Sequence, residues 1–130
     1  LKDGNTLSLT FPEIHERVSF DTNQLRQVLW NLLNNCQAHA RNGKTGVSIE
    51  MIGGFAKDAK FANIDVIDNG SGVPQDNVRQ LFEPFFTSSS QGTGLGLYVS
   101  RELCINNGGT LEYIPQKNGG SCFRIKLPTV

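Results

Sequence analysis

The sequence predicts an α+β fold, a two-layer sandwich in which a mixed sheet of about five strands is covered on one face by three helices. Segments with period-two alternation of apolar residues occur in pairs, and helical segments separate the pairs. The strict strand–helix alternation of a doubly wound fold is absent. The 130 residues suffice for a substantial core, and no repeat or low-complexity tract divides them. We therefore expect one domain over residues 1–130.

The first half of the chain is predicted to contain four strands and one long helix. The strand-like segments are residues 7–11, 17–20, 47–52 and 62–67. Asp21 is a suitable N-cap for a helix from about Thr22 to Ala40. Apolar residues recur at helical spacing within it, at Leu25, Val28, Leu29, Leu32, Leu33 and Cys36.

The second half is predicted to contain shorter elements. In order, they are a turn at 69–74, a short helix at 75–81, a mobile loop at 85–92, a helix at 95–105 and strands at 111–114 and 121–127. The glycine-containing segment 106–109 ends the second long helix.

Charge and cysteine content exclude several classes of protein. Twelve basic residues balance twelve acidic ones, which argues against a nucleic-acid partner. No apolar run approaches the roughly 20 residues of a membrane span, so we expect no direct membrane contact by this chain. Three widely spaced cysteines indicate a reducing compartment rather than a disulfide framework or a zinc site.

Two asparagines lie one helical turn apart on the long helix. Asn31 and Asn35 flank its apolar stripe, where side chains can reach a cleft. Because asparagine is a mediocre helix former, a functional interpretation is attractive. An amide oxygen can ligate Mg²⁺, and an amide hydrogen can be donated to a phosphate oxygen. The alternative is an ordinary polar helix edge.

A carboxylate and two glycines follow the strand at 62–67. Alternation places Asp68 on the same face as Ile64 and Val66. If that face is buried, Asp68 needs a donor, such as the exocyclic amino group of adenine, and Gly70 and Gly72 let a flat base approach closely. The alternative is a turn in which Asp68 bonds its own backbone.

A glycine-rich segment precedes the second long helix. It comprises Gly92, Thr93, Gly94, Leu95, Gly96 and Leu97. Backbone N–H groups at a helix N-terminus form an anion site. The pattern is neither a P-loop nor the dinucleotide fingerprint, and a glycine hinge would look similar.

Together these segments resemble the catalytic, ATP-binding domains of bacterial sensor histidine kinases, in the superfamily shared with gyrase and Hsp90. The resemblance covers about residues 21–128 and implies the Bergerat (GHKL) fold. Its four motifs stand in the family's order: the N box at 31–36, the G1 box at 68–72, the F box at 81–87 and the G2 box at 92–97. The short lid and residues 96–104 look like sensors that govern type IV pilus or nitrogen genes.

The resemblance implies binding of Mg²⁺ and ATP and donation of the γ-phosphate. Asn35 would ligate Mg²⁺, Asp68 would accept from adenine, and Ser121 would hold a water beside Asp68. Asn31 and Asn35 are the implied catalytic residues. The other implied nucleotide-binding residues are His39, Gly70, Gly72, Val73, Phe86, Thr87, Gly92, Thr93, Gly94, Leu95, Gly96 and Leu97. Phe82 and Phe86 would anchor the lid, although Phe82 could equally be a core residue.

One position separates reaction classes within the superfamily. Hydrolytic relatives carry a glutamate four residues before the magnesium asparagine, where this chain has Asn31. An amide cannot accept a proton at neutral pH, so we expect very slow hydrolysis. In the family the phosphoacceptor histidine lies on a separate dimerisation domain, and we interpret His15 as a surface or strand histidine.

The expected partners are therefore the histidine-bearing dimerisation domain of the same kinase and, indirectly, a response regulator. The resemblance implies a cytoplasmic domain, within a sensor of the inner membrane.

Ala38 replaces a lysine common among relatives, and no Lys or Arg occurs from Phe82 to Gly96. Mg²⁺, a helix N-terminus and His39 or Arg41 must then balance the phosphate charge. The alternatives are a serine protein kinase of the anti-sigma type and a degenerate docking module.

Overall fold

The computed structural model describes residues 5–11, 17–39, 48–55, 60–70, 72–86, 94–117 and 119–130. The five strands of this part are β1 (Thr6–Thr10), β2 (Ser48–Phe55), β3 (Phe61–Asp68), β4 (Thr110–Tyr113) and β5 (Ser121–Pro128). Its three helices are α1 (Thr22–His39), α2 (Gln75–Val78) and α3 (Gly96–Asn106). The predicted α+β fold is confirmed.

The strands form one mixed sheet in the order β1-β2-β3-β5-β4. β1 runs parallel to β2, and the other neighbouring strands are antiparallel. Because side chains alternate between faces, each inner strand presents every second residue to the helices. The core comprises Ile49 and Met51 of β2, Val66 of β3, Leu111 of β4 and Phe123, Ile125 and Leu127 of β5, with Val28, Leu32, Cys36 and Cys104 from the helices.

Side-chain caps join the start of α1 to the end of α3. Asp21 Oδ1 accepts a hydrogen bond from the Gln24 N–H at 2.9 Å, which confirms Asp21 as the N-cap. Asn107 Oδ1 accepts from the Asp21 N–H at 2.9 Å, and Asn107 Nδ2 donates to Gln24 Oε1 at 2.7 Å. The two helices are thereby held together at this end of the domain.

Two predicted elements differ from the structure. Residues 17–20 do not form a strand: Val18 makes only an isolated bridge with Thr129, beyond the end of β5, and the chain then turns into α1. The helix predicted at 75–81 ends at Val78, after which the chain forms turns that bring Leu81 into the core. His15 and the loop residues 87–92 lie outside the described residues.

The three cysteines are free thiols, and all three are buried. None of the helices in the described part of the chain is both long enough and apolar enough to cross a membrane.

Candidate functional site

The end of β3 places a carboxylate in the interior. Asp68 is 4% exposed and pairs in register with Ser121 of β5. Its Oδ1 accepts a hydrogen bond from the Gly70 N–H at 2.8 Å, and its Oδ2 accepts one from the Ser121 hydroxyl. Both interpretations from the sequence therefore apply: Asp68 bonds the following turn, and it lies on the buried face.

A buried thiol of α1 lies near Asp68. The Cys36 side chain is fully buried, and it is close enough to the Asp68 carboxylate to feel its charge. Burial, followed by the proximity of this carboxylate, raises the pKa of the Cys36 thiol far above its usual value. The thiol thus stays protonated. Sequence reasoning did not find this proximity to Asp68, because Cys36 fits the apolar stripe of α1 as a small core residue.

Two glycines allow the loop after β3 to pack against the turn before β5. Gly72 has φ 78° and Gly120 has φ 81°, a region that side chains rarely adopt. A Cβ on Gly72 would lie 2.7 Å from the Gly120 carbonyl oxygen, and one on Gly120 would collide with the Asp68 carbonyl oxygen. The adjacent Val73 N–H donates to the Tyr113 hydroxyl at 3.4 Å. Close backbone approach therefore shapes the surroundings of Asp68.

Asn31 connects α1 to the first turn of α3. Its Nδ2 donates to Ser100 Oγ at 3.1 Å and to the Gly96 carbonyl oxygen at 3.4 Å. Asn35 lies one turn further along α1 and is half-buried. The next residue, Cys36, lies near Asp68.

Helix α1 therefore connects two parts of the site. Asn31, which bonds α3, and Cys36, which lies near Asp68, are five residues apart on α1. This separation corresponds to about 7.5 Å along the axis of α1. Asn35 is located between them. The structure thus brings the N-box asparagines, Asp68 and the start of α3 to one region of the domain.

The start of α3 carries no side-chain cap. Its N-cap residue is Leu95, which cannot accept from the first backbone N–H groups, so these donors have no partner within the helix. Gly96 and Leu97 open the helix, as predicted. Gly94 has φ 75°, and its carbonyl oxygen accepts from the Phe85 N–H at 2.9 Å. This bond joins the two chain segments that flank residues 87–93.

The phenylalanines of the F box occupy different environments. Phe82 packs against the core and meets Phe123 edge-to-face at 6.3 Å, with the Arg101 guanidinium 5.1 Å from its ring centroid. Phe86 is half-buried. Phe85 is 73% exposed and has φ 67°, an uncommon value for a non-glycine residue. Phe82 is therefore partly buried against the core, and its role in anchoring the lid stays a prediction.

Three predicted site residues, Thr87, Gly92 and Thr93, lie outside the described residues. His39 ends α1, and its side chain is also outside them. Sequence reasoning missed Ser100, Tyr113 and Gly120. Only Gly120 had a usable signal, since Asn118-Gly119-Gly120 directly before a strand indicates a turn with positive φ.

Comparison with known proteins shows the family of the chain. The family model for "Histidine kinase-, DNA gyrase B-, and HSP90-like ATPase" matches residues 20–130. Sensor protein kinase PilS of Pseudomonas aeruginosa is 42% identical over 132 residues, covering 96% of this chain and 24% of PilS. Sensor histidine kinase ZraS of Escherichia coli K12 is 37% identical over 124 residues, covering 95% of this chain and 24% of ZraS.

Solved structures have the same fold. The nucleotide-free catalytic domain of histidine kinase ThkA superposes with a TM-score of 0.80 at 26% identity, covering 96% of this chain and 79% of that one. The mycobacterial sensor histidine kinase MprB gives a TM-score of 0.81 at 24% identity, covering 97% of this chain and 83% of that one. At this low identity, the likeness to MprB supports the fold alone.

The chain therefore belongs to the histidine kinase-, DNA gyrase B- and HSP90-like ATPase family. Within that family it is the catalytic domain of a sensor histidine kinase. It spans about a quarter of the length of the curated relatives it matches.

Proposed function

We propose that this domain binds ATP with Mg²⁺ and donates the γ-phosphate to a histidine on a separate dimerisation domain of the same sensor kinase. A response regulator would receive the phosphoryl group afterwards. The observation that carries the proposal is the buried Asp68 carboxylate near Cys36 of α1, with Asn31 about one and a half turns earlier on α1 bonded to the uncapped start of α3. The cytoplasmic location of a sensor anchored in the inner membrane stays a prediction from the resemblance.

The donors around Asp68 suit recognition of adenine. A carboxylate accepts about four hydrogen bonds, and Gly70 and Ser121 supply two donors. A remaining acceptor position would take the 6-amino group of adenine. The two protein donors fix the orientation of the carboxylate before the base arrives, which lowers the entropy cost of binding.

The start of α3 and the N-box amides suit a magnesium triphosphate. The first N–H groups of α3, which have no partner within the helix, and the helix dipole attract phosphate oxygens. Asn35 offers the neutral oxygen that we assign to Mg²⁺, which usually takes only one or two protein ligands alongside phosphates and waters. Bound Mg²⁺ supplies neutralisation of the charge that develops on the transferred phosphoryl group.

Transfer to histidine rather than to water follows from Asn31. Its side chain is an amide and its Nδ2 is engaged by α3, so no general base stands at this position. The relatives PilS and ZraS are named sensor kinases, which supports a histidine acceptor over the serine acceptor of an anti-sigma kinase.

Calorimetric titration with a non-hydrolysable ATP analogue and Mg²⁺ tests the proposal. We expect one-to-one binding that Asp68→Asn abolishes, because the amide presents a donor toward the 6-amino group. Asp65→Asn is the matched control: Asp65 lies three residues earlier on β3, so it faces the opposite side of the sheet, where Arg124 contacts it at 2.8 Å.

Transfer is then measured with a supplied histidine-bearing dimerisation domain and ATP. Labelling of the histidine supports the proposal. Absence of nucleotide binding by the folded wild type would favour the docking module, and labelling of serine would favour the anti-sigma class.

A further inference from the structure

The buried hydroxyl of Ser100 on α3 is a polar group that the proposed chemistry does not use. Ser100 is completely buried, and its Oγ accepts a hydrogen bond from Asn31 Nδ2 at 3.1 Å. The same Nδ2 donates to the Gly96 carbonyl oxygen at 3.4 Å. These contacts join α1 to α3 across 69 and 65 residues of sequence.

The two acceptors determine which way the Asn31 amide faces. A carbonyl oxygen can only accept, so the Gly96 contact requires an N–H group. The reversed amide would set Asn31 Oδ1 against the Gly96 oxygen, and two acceptors repel. Nδ2 carries two hydrogens, and Ser100 Oγ and the Gly96 oxygen provide two acceptors for them.

We propose that Ser100 is a positioning residue of the nucleotide site: with Gly96 it occupies both amide hydrogens of Asn31, so that only Oδ1 remains for ligands. This inference rests on the proposed binding of Mg²⁺ and ATP. An acceptor repels bare phosphate oxygens, whereas it attracts the hydrogens of water bound to Mg²⁺. Asn31 held in this way discriminates in favour of the magnesium complex over the free triphosphate. The sequence suggested instead that one N-box amide donates to phosphate.

Hydrogen bonds at the opposite end of α3 also restrict the position of α3 relative to α1. Asn107 fixes the end of α3 to Asp21 and Gln24 at the start of α1. The helices are therefore bonded at two places, and neither can rotate without breaking these hydrogen bonds. Ser100 thus acts on an amide whose backbone is already fixed.

Ser100→Ala tests the assignment by the ratio of two affinities. Removing the hydroxyl releases one amide hydrogen, which can then be donated to a phosphate oxygen. We expect the affinity for the Mg²⁺ complex of an ATP analogue, divided by that for the analogue in EDTA, to fall by about two- to tenfold. A merely structural role would weaken both affinities equally and leave the ratio unchanged, which would overturn the proposal.

Cys104→Ala is the matched control. Cys104 is completely buried on the same face of α3, one turn after Ser100, and does not contact Asn31 through any hydrogen bond that the structure describes. Its removal is expected to lower stability without changing the ratio. In an Asn31→Ala background, Ser100→Ala should have no further effect on the ratio. An equal effect in that background would show that Ser100 acts independently and would refute the proposal.

A measurement without nucleotide separates this inference from the proposed function. The side-chain NH₂ signals of Asn31, identified by their loss in Asn31→Ala, should exchange slowly with solvent in the wild type and faster in Ser100→Ala. Slow exchange together with no binding of the analogue would refute the proposed function alone. Fast exchange in the wild type would refute the role of Ser100.

Discussion

Asp68 and Ser121 lie directly opposite each other on antiparallel strands, and the Ser121 hydroxyl donates to the Asp68 carboxylate in the interior of the domain. The two residues are 53 positions apart in sequence. A hydrogen bond to a charged group in a buried environment is stronger than one between neutral groups. The β3–β5 register is therefore part of the geometry of the candidate site.

Loss of the Ser121 hydroxyl should weaken nucleotide binding. In Ser121→Ala the carboxylate loses one of the two donors that the structure describes, and we expect about tenfold lower affinity for the ATP analogue by calorimetry. Thr110→Ala, which removes an exposed strand hydroxyl on β4, is the control and should bind normally. Equal affinities for all three proteins would contradict the assigned role of Ser121.

Neighbouring glycines should respond differently to alanine. Gly119 and Gly120 both have positive φ, at 85° and 81°. A Cβ on Gly119 meets nothing within 4 Å, whereas one on Gly120 collides with the Asp68 carbonyl oxygen. Gly119→Ala should cost about 1 kcal/mol of unfolding free energy, and Gly120→Ala at least about 2 kcal/mol more. Denaturant unfolding measures both, and equal losses would show that the turn relaxes freely.

The purified domain should hydrolyse ATP very slowly. With an amide at Asn31, no side chain there can remove a proton from water, so turnover should stay far below about 1 s⁻¹. Phosphate release is the measurement, with Asp68→Asn as the control for contaminating activity. Rapid release by the wild type that disappears in Asp68→Asn would show that another group activates water.

Binding of the triphosphate should depend strongly on Mg²⁺. No Lys or Arg occurs between Phe82 and Gly96 to balance the phosphate charge. Chelation with EDTA should therefore lower the affinity for the ATP analogue by at least about tenfold. Adenosine, which has no phosphates, is the control ligand. EDTA should leave the affinity for adenosine unchanged. If EDTA also left the affinity for the ATP analogue unchanged, this prediction would be contradicted.

Stability should fall at alkaline pH because of the buried thiols. Burial raises the pKa of Cys104 from 9.0 to about 11, and it does the same for Cys122. The folded state then holds more protons than the unfolded state between these values. The thiol contribution is complete below pH 9 and is lost as the pH rises through 11.

At pH 10 the loss is about 1.4 kcal/mol for each of these thiols relative to neutral pH. Cys104→Ala lacks one of the groups, so its unfolding free energy should decrease by about that much less between pH 8 and pH 10. Denaturant titrations at the two pH values measure the difference. Parallel decreases in the two proteins would show that Cys104 does not titrate differently on unfolding.

Local patterns determined the elements of this protein. The Asp21 cap and the apolar stripe of α1 depend on residues within a few positions of one another, and the helix ends at His39, one residue from the predicted end. Strand alternation likewise predicted that Asp68 shares a face with Ile64 and Val66, and the structure shows that Asp68 and Val66 are buried. Residues 17–20 were misjudged because a strand also needs a partner strand, and only the last residue of β5 and the two residues after it pair with them.

Only the tertiary structure decided how the polar groups of the site are paired. Ser100 looks like an ordinary small helix residue, and Cys36 looks like part of an apolar stripe, until α3 and β3 are packed against α1. Hydrogen bonds require donor and acceptor within about 3 Å, and the chain distance between these partners says nothing about such proximity. The sequence by itself thus determined which residue types and elements are present, whereas the packing of α1 against α3 and the β3–β5 register determined which atoms are bonded.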